Sequence, residues 1–143
     1  MKNIDAFNIA VGSIFGYCYQ NFPEKCDIST GEIGDIIRDS FGKEKSNYTN
    51  YQDYEYKIVN ATVEWLVKSG YLWCDSRFEG LIIKNVVLTP KGLEALNSIP
   101  ESLEQKRTFG ETLSKGASAL GKEAMITTVQ TCLGFGAKLV VGN

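Results

Sequence analysis

The amino-acid sequence predicts an α+β fold in which helices precede a two-stranded β-hairpin and a further capped helix. Two β-rich runs, residues 71–74 and 81–88, are separated by a short polar turn, as in a hairpin. Apolar residues recur at helical spacing both before and after these runs. The chain has 143 residues, 43% of them hydrophobic, so it is long enough to enclose a core.

The first helix is predicted over residues 4–20, where apolar side chains repeat on one face. These residues are Phe7, Ala10, Val11, Ile14 and Cys18. Gly12 and Gly16 lie one turn apart within the same helix. Because glycine has no side chain, this spacing predicts close packing of the helix against a neighbouring element.

The second helix is predicted to begin after Ser29. Ser29 and Glu32 have the spacing of a capping box, and Ile28 and Ile33 have that of a hydrophobic staple. Gly42 is expected to end this helix.

A third helix is predicted from residue 54 to residue 69, before the terminating Gly70. Its apolar face is broad, which is typical of a helix that packs on a core. The residues of that face are Tyr54, Ile58, Ala61, Trp65 and Leu66.

The two strands follow, and residues 75–80 form the turn between them. Thr89 is placed to cap a fourth helix whose first position is Pro90, where proline is favoured. Pro100 closes this part of the chain. We therefore expect one domain over residues 1–100 and a C-terminal helical segment over residues 101–143.

The C-terminal segment has helical spacing of apolar residues but many small ones. The spaced residues are Leu103, Phe109, Leu113, Leu120 and Ala124. Three alternatives remain open for this segment: packing on the domain or on a second copy in a homodimer, association with a membrane, or partial disorder. Polar side chains between residues 124 and 141 argue against a membrane span. These are Thr127, Thr128, Gln130, Thr131 and Lys138.

Two segments of this sequence resemble the corresponding segments of the MarR- and PadR-like winged-helix regulators. They are Lys-Ser-Gly-Tyr-Leu at residues 68–72 and Leu-Thr-Pro-Lys-Gly-Leu-Glu-Ala-Leu at residues 88–96, with the strand pair between them. The resemblance implies a winged-helix domain with residues 75–80 as the wing. It also implies a transcriptional regulator that binds DNA through cationic side chains. The candidates for DNA binding are Lys43, Lys45, Lys57 and Arg77.

The charge of the chain favours a protein partner over DNA. The net charge is −2, and only three arginines are present. Arginine is the residue best suited to phosphate and guanine, so this shortage counts against a DNA reader. Asp53 and Glu55, at the start of the third helix, would face phosphates and be repelled by them.

Four tyrosines interleaved with these two carboxylates suggest a protein-binding surface. Tyrosine is enriched at interfaces because it buries a large ring and keeps a hydroxyl group to pair. The candidate partner-binding residues are Tyr48, Tyr51, Asp53, Tyr54, Glu55 and Tyr56. They suit a basic protein, and the concrete hypothesis is a small acidic neutraliser of a basic toxin, an immunity protein or antitoxin. The alternatives are that Tyr54 packs in the core and the others are solvated, or that the chain is a DNA-binding regulator.

Catalysis is not expected from this composition. The chain has no histidine, which removes the commonest general base and metal ligand. Its four cysteines lack the paired spacing of a zinc site and fit reduced, buried thiols of a cytoplasmic protein. We therefore predict a cytoplasmic, non-enzymatic protein with no cofactor and no metal.

Overall fold

The computed structural model describes residues 2–42, 54–75, 78–79, 81–100 and 106–139. The described chain is α+β, as the sequence predicts, and combines helices with a small antiparallel sheet. Its elements, in chain order, are α1 (Asn3–Asn21), β1 (Cys26–Ser29), α2 (Thr30–Ser40), α3 (Tyr54–Lys68), β2 (Leu72–Cys74), β3 (Phe78–Glu79), β4 (Ile82–Leu88), α4 (Pro90–Asn97), α5 (Phe109–Leu113), α6 (Ala117–Leu120) and α7 (Lys122–Lys138).

Helix α1 lies at the centre of the fold and contacts α2, α3, α5 and α7. Its buried side chains occupy most of its circumference, as expected of a helix enclosed by others. They include Ala6, Ile9, Ala10, Val11, Ile14, Phe15 and Cys18. The predicted first helix is thus confirmed, and it is the element around which the rest of the core is arranged.

The N-terminal end of α2 confirms the predicted cap. The Ser29 hydroxyl oxygen accepts a hydrogen bond of 3.2 Å from the backbone N–H of Glu32. The sequence did not predict β1, which leads directly into this helix. Strand β1 pairs antiparallel with β4, with Ile28 opposite Ile83.

Strand β4 is the middle strand of the sheet. It pairs with β1 along one edge and with β2 along the other, in the order β1–β4–β2, while β3 also pairs with β4. Leu72 lies opposite Leu88, and Cys74 lies opposite Val86. The antiparallel pairing of the two predicted strand regions is therefore confirmed.

Helix α4 begins as predicted, with Pro90 at its start and Thr89 as its cap. The Thr89 hydroxyl oxygen accepts a 3.0 Å hydrogen bond from the N–H of Gly92. The same hydroxyl donates to the carbonyl of Gly70, so one buried side chain ties the start of α4 to the end of α3.

The C-terminal segment is divided into three helices, where the apolar spacing suggested a single run. Gly116 and Gly121 separate α5, α6 and α7, and both have a φ of 85°, a conformation that favours glycine. Residues of α5 and α7 belong to the same hydrophobic core as α1 and the sheet. They include Phe109, Leu113, Met125, Val129 and Cys132. The described residues on the two sides of Pro100 therefore share one hydrophobic core.

Gly12 and Gly16 are the positions where α1 meets this segment, as their spacing predicts. A Cβ atom at Gly12 would lie 2.1 Å from the sulfur of Met125. One at Gly16 would lie 2.6 Å from the backbone oxygen of Leu113. Because Gly12 and Gly16 have no Cβ atom, α7 and the end of α5 lie closer to α1 than they could if these residues carried side chains.

Candidate interaction surface

Three of the six candidate partner-binding residues, Tyr48, Tyr51 and Asp53, lie outside the described residues. So do three of the four DNA-binding candidates, Lys43, Lys45 and Arg77. Tyr54, Glu55, Tyr56 and Lys57 are described, and they form the first turn of α3.

The structure buries two of the predicted partner-binding residues, which corrects their placement on the surface. Tyr56 is fully buried, and its ring packs where Gly34 of α2 leaves room for it. Glu55 is also buried and forms a 2.8 Å ion pair with Arg38 of α2. Both side chains point away from solvent because this face of α3 packs against α2.

Tyr54 and Lys57 remain at the surface. Tyr54 is 37% exposed, and its hydroxyl donates a hydrogen bond to the side-chain oxygen of Asn3 in α1. Partial burial, together with the nearby charge of Glu55, raises the pKa of Tyr54, so its hydroxyl stays protonated at neutral pH. Lys57, three residues after Tyr54 in α3, also has an exposed side chain.

Helix α3 has two stripes of apolar residues. The stripe that the sequence predicts to be buried faces mostly outward. The buried stripe consists of Tyr56, Val59, Val63 and Leu66. From the predicted apolar face, Leu66 is buried, Ile58 is partly buried, and Tyr54, Ala61 and Trp65 are exposed. The expectation that this whole face packs on the core is therefore wrong.

The outward stripe joins apolar residues of α1 to form a surface that we call the α1–α3 surface. It consists of Ile4, Phe7, Tyr54, Ile58, Ala61 and Trp65. An open groove runs between the two helices, and Asn3 and Thr62 contribute its polar atoms. Ile4 is 56% exposed and Trp65 is 45% exposed, so large apolar side chains meet solvent on both sides of the groove.

Trp65 is held in place by aromatic neighbours. Its ring and the Phe7 ring form a T-shaped pair, with centroids 5.3 Å apart and planes at 89°. It also stacks with Tyr71, with centroids 6.5 Å apart and planes at 20°. The ammonium group of Lys91 lies 4.4 Å from the centre of the Tyr71 ring. Trp65 therefore presents its exposed part in a fixed orientation, which lowers the entropy lost when a partner binds.

Few charges surround this surface among the described residues of α3. Glu64 and Lys68 form a 3.0 Å ion pair with each other, and Lys57 is the other exposed cation of the helix. The outward face of α3 therefore combines the apolar stripe with the exposed charges of Lys57, Glu64 and Lys68. The sequence did not single out Ile4 and Phe7, because only the packing of α1 against α3 brings them beside Trp65.

Comparisons of this chain with protein-family models, with curated proteins and with solved structures find no match. In the described parts of the chain, no helix combines the length and the apolar character that a membrane crossing requires. Within the same ranges, no three carboxylate, thiol or imidazole side chains come together as ligands for a metal ion.

Proposed function

We propose that this chain is a non-enzymatic protein-binding module that docks its partner on the α1–α3 surface. The observation that carries the proposal is the apolar stripe of α3, which lies exposed beside Ile4. Water contact with apolar area costs about 25 cal/mol per Å². Contiguous exposed apolar patches accordingly mark interaction sites in folded proteins. Trp65 is the natural anchor, since tryptophan is enriched among the residues that dominate binding energy.

We further propose that residues 2–97 form a winged-helix domain. The order of α1, β1, α2, α3, the hairpin and α4 supports this, as does the position of β1 beside β4. In such a domain α3 takes the place of the recognition helix. Ile58, Ala61 and Trp65 on its outward face suit the apolar side chains of a protein, whereas DNA backbone recognition needs cations and polar donors.

The proposed partner is a basic protein, and the proposed role is that of a small acidic neutraliser of the immunity or antitoxin type. The net charge of −2 and the small number of arginines support a basic partner. Complementary charge mainly raises the rate of association, while apolar anchors slow dissociation. The α1–α3 surface would therefore hold the complex together, and the acidic balance of the chain would guide its encounter.

A DNA-binding regulator is the second candidate. The hairpin after α3 and the exposed Lys57 favour it. A regulator would bind duplex DNA with an affinity that falls steeply as salt rises, because its cations release counterions from the phosphates. An apolar protein interface would depend much less on salt.

Ala61→Arg tests both proposals in one variant. Ala61 is exposed in the middle of the α1–α3 surface, so the variant should fold while a long charged side chain obstructs docking. The matched control is Ala124→Arg, the same change at an exposed alanine of α7. The assay is capture of partners from an extract of the native host by the purified full chain, followed by titration with random duplex DNA.

If the proposal is correct, a protein captured by the parent is retained by Ala124→Arg and lost by Ala61→Arg. Equal capture by all three chains would place the interface elsewhere. If the chain is a regulator, Ala61→Arg should instead bind duplex DNA more tightly than the parent. The logarithm of its affinity should then fall more steeply with the logarithm of the salt concentration, by the amount that about one added phosphate contact contributes.

A further inference from the structure

Two buried thiols face each other at the junction between α1 and the sheet. The sulfur of Cys18, near the end of α1, lies 3.8 Å from the sulfur of Cys26, the first residue of β1. Both cysteines are free, and their exposed fractions are 1% and 8%. A short connection joins the two elements, so the thiols are near neighbours in the chain as well as in space.

We propose that Cys18 and Cys26 form a redox-sensitive site, which hydrogen peroxide oxidises to an intramolecular disulfide. A disulfide requires sulfur atoms about 2.05 Å apart, so the two must approach by roughly 2 Å. This property is independent of the proposed protein-binding function.

The two thiols have different roles. A hydrogen bond from Cys18 lowers the pKa of Cys26, while the same bond, and then burial, raise the pKa of Cys18. Cys26 is also the more exposed of the two, so a small oxidant reaches it first. The negative charge of Asp27 acts to raise the pKa of Cys26. Lys84 forms a 3.0 Å ion pair with that carboxylate and offsets its charge.

The reaction balances with peroxide as the oxidant. The Cys26 thiolate attacks one peroxide oxygen, the O–O bond breaks, and hydroxide leaves as the sulfur becomes a sulfenic acid. The hydroxide takes up the proton that the Cys26 thiol had released. The Cys18 sulfur then attacks the Cys26 sulfur, an S–S bond replaces the S–O bond, and the leaving hydroxyl takes the Cys18 proton as water. Two thiols are thus oxidised, and one peroxide is reduced to two waters.

The other two cysteines serve as internal controls. The Cys74 thiol donates a 3.2 Å hydrogen bond to the backbone oxygen of Lys84. Cys132 lies on the buried face of α7, and burial raises the pKa of Cys132 to about 12, which keeps its thiol protonated. By contrast, the structure places the sulfur atoms of Cys18 and Cys26 3.8 Å apart.

The proposal is tested by mapping disulfides in the full chain after peroxide treatment. Trypsin cleaves after Lys25, which lies between the two cysteines, so the disulfide would join two separate peptides. We expect a linked pair, one peptide ending at Lys25 and the other beginning at Cys26, together with loss of two of the four thiols. Dithiothreitol should restore both thiols.

Variants separate this site from general oxidation. Cys132→Ser should still lose two thiols at the rate of the parent. Cys18→Ser should form no disulfide and accumulate a sulfenic acid on Cys26 that a dimedone reagent traps. The proposal is overturned if the folded parent keeps all four thiols, if the linked peptides contain Cys74 or Cys132, or if chains join to each other instead. The parent map decides the question even if a variant fails to fold.

Discussion

Replacing Gly16 with alanine probes the contact on which the packing of the C-terminal segment depends. The added Cβ atom would lie 2.6 Å from the backbone oxygen of Leu113, whereas nonbonded contacts prefer about 3.5 Å or more. That oxygen also accepts a 3.1 Å hydrogen bond from Gly116. Relief of the clash therefore requires movement of backbone, because no flexible side chain is available to yield.

The expected cost follows from two opposing effects. Overpacking in a core costs about 1–3 kcal/mol, and the rigid obstacle places this site near the upper value. Alanine is favoured over glycine within a helix by about 1 kcal/mol. We therefore expect Gly16→Ala to lower the free energy of unfolding by about 2 kcal/mol, and Tm by about 6 °C for a chain of this length.

The matched control is Gly134→Ala in α7, where no atom would lie within 4 Å of the added Cβ. There only the helix propensity changes, so stability should rise by up to about 1 kcal/mol. Urea denaturation followed by circular dichroism measures both values. If Gly16→Ala is as stable as Gly134→Ala, then α1 does not pack against the end of α5, and the shared core described above is refuted.

Three further predictions concern caps and charges. Ser29→Ala should cost about 1 kcal/mol in a thermal melt, since it removes the cap of α2. Glu55→Gln should cost about 2 kcal/mol in urea denaturation at neutral pH, because the buried Glu55 side chain loses the charge that pairs with Arg38. An unchanged midpoint would show that this charge pair does not contribute to stability. Hydrogen bonds from the backbone and then the side chain of Thr108 lower the pKa of Glu111 at the start of α5. That contribution is present above the ordinary carboxyl pKa and lost as pH falls through the lowered one. The protection factors of the α5 amides, which are exchange rates corrected for the intrinsic pH dependence, should therefore fall on acidification in the parent but not in Glu111→Gln.

Local signals in the sequence predicted the caps, the hairpin and the helices well. The cap at Ser29 and the cap at Thr89 depend on residues only three positions apart, and both are observed. Strand β1 was missed because it is defined by pairing with β4, far along the chain. A four-residue strand in front of a strong helix cap carries no period that would distinguish it from a loop.

The periodicity of hydrophobic residues does not predict which face of α3 packs against the core. Both of its stripes are apolar, so the spacing of hydrophobic residues does not decide which one faces the core. Contacts with α2 decide it, because Gly34 leaves room for the Tyr56 ring and Arg38 pairs with Glu55. This is also why the sequence assigned Tyr56 and Glu55 to a binding surface and did not identify the exposed groove.

Tryptophan fluorescence shows whether a protein partner docks on the α1–α3 surface. The chain has two tryptophans, Trp65 on this surface and Trp73 on β2, and the latter is 56% exposed. Trp73→Phe leaves only Trp65 to report, and the difference between the parent and this variant reports Trp73. Acrylamide quenching is measured for both chains with and without the captured partner. We predict that the partner lowers quenching of Trp65 severalfold and leaves that of Trp73 unchanged. If the partner instead lowers the quenching of Trp73 and leaves that of Trp65 unchanged, the partner does not dock on the α1–α3 surface.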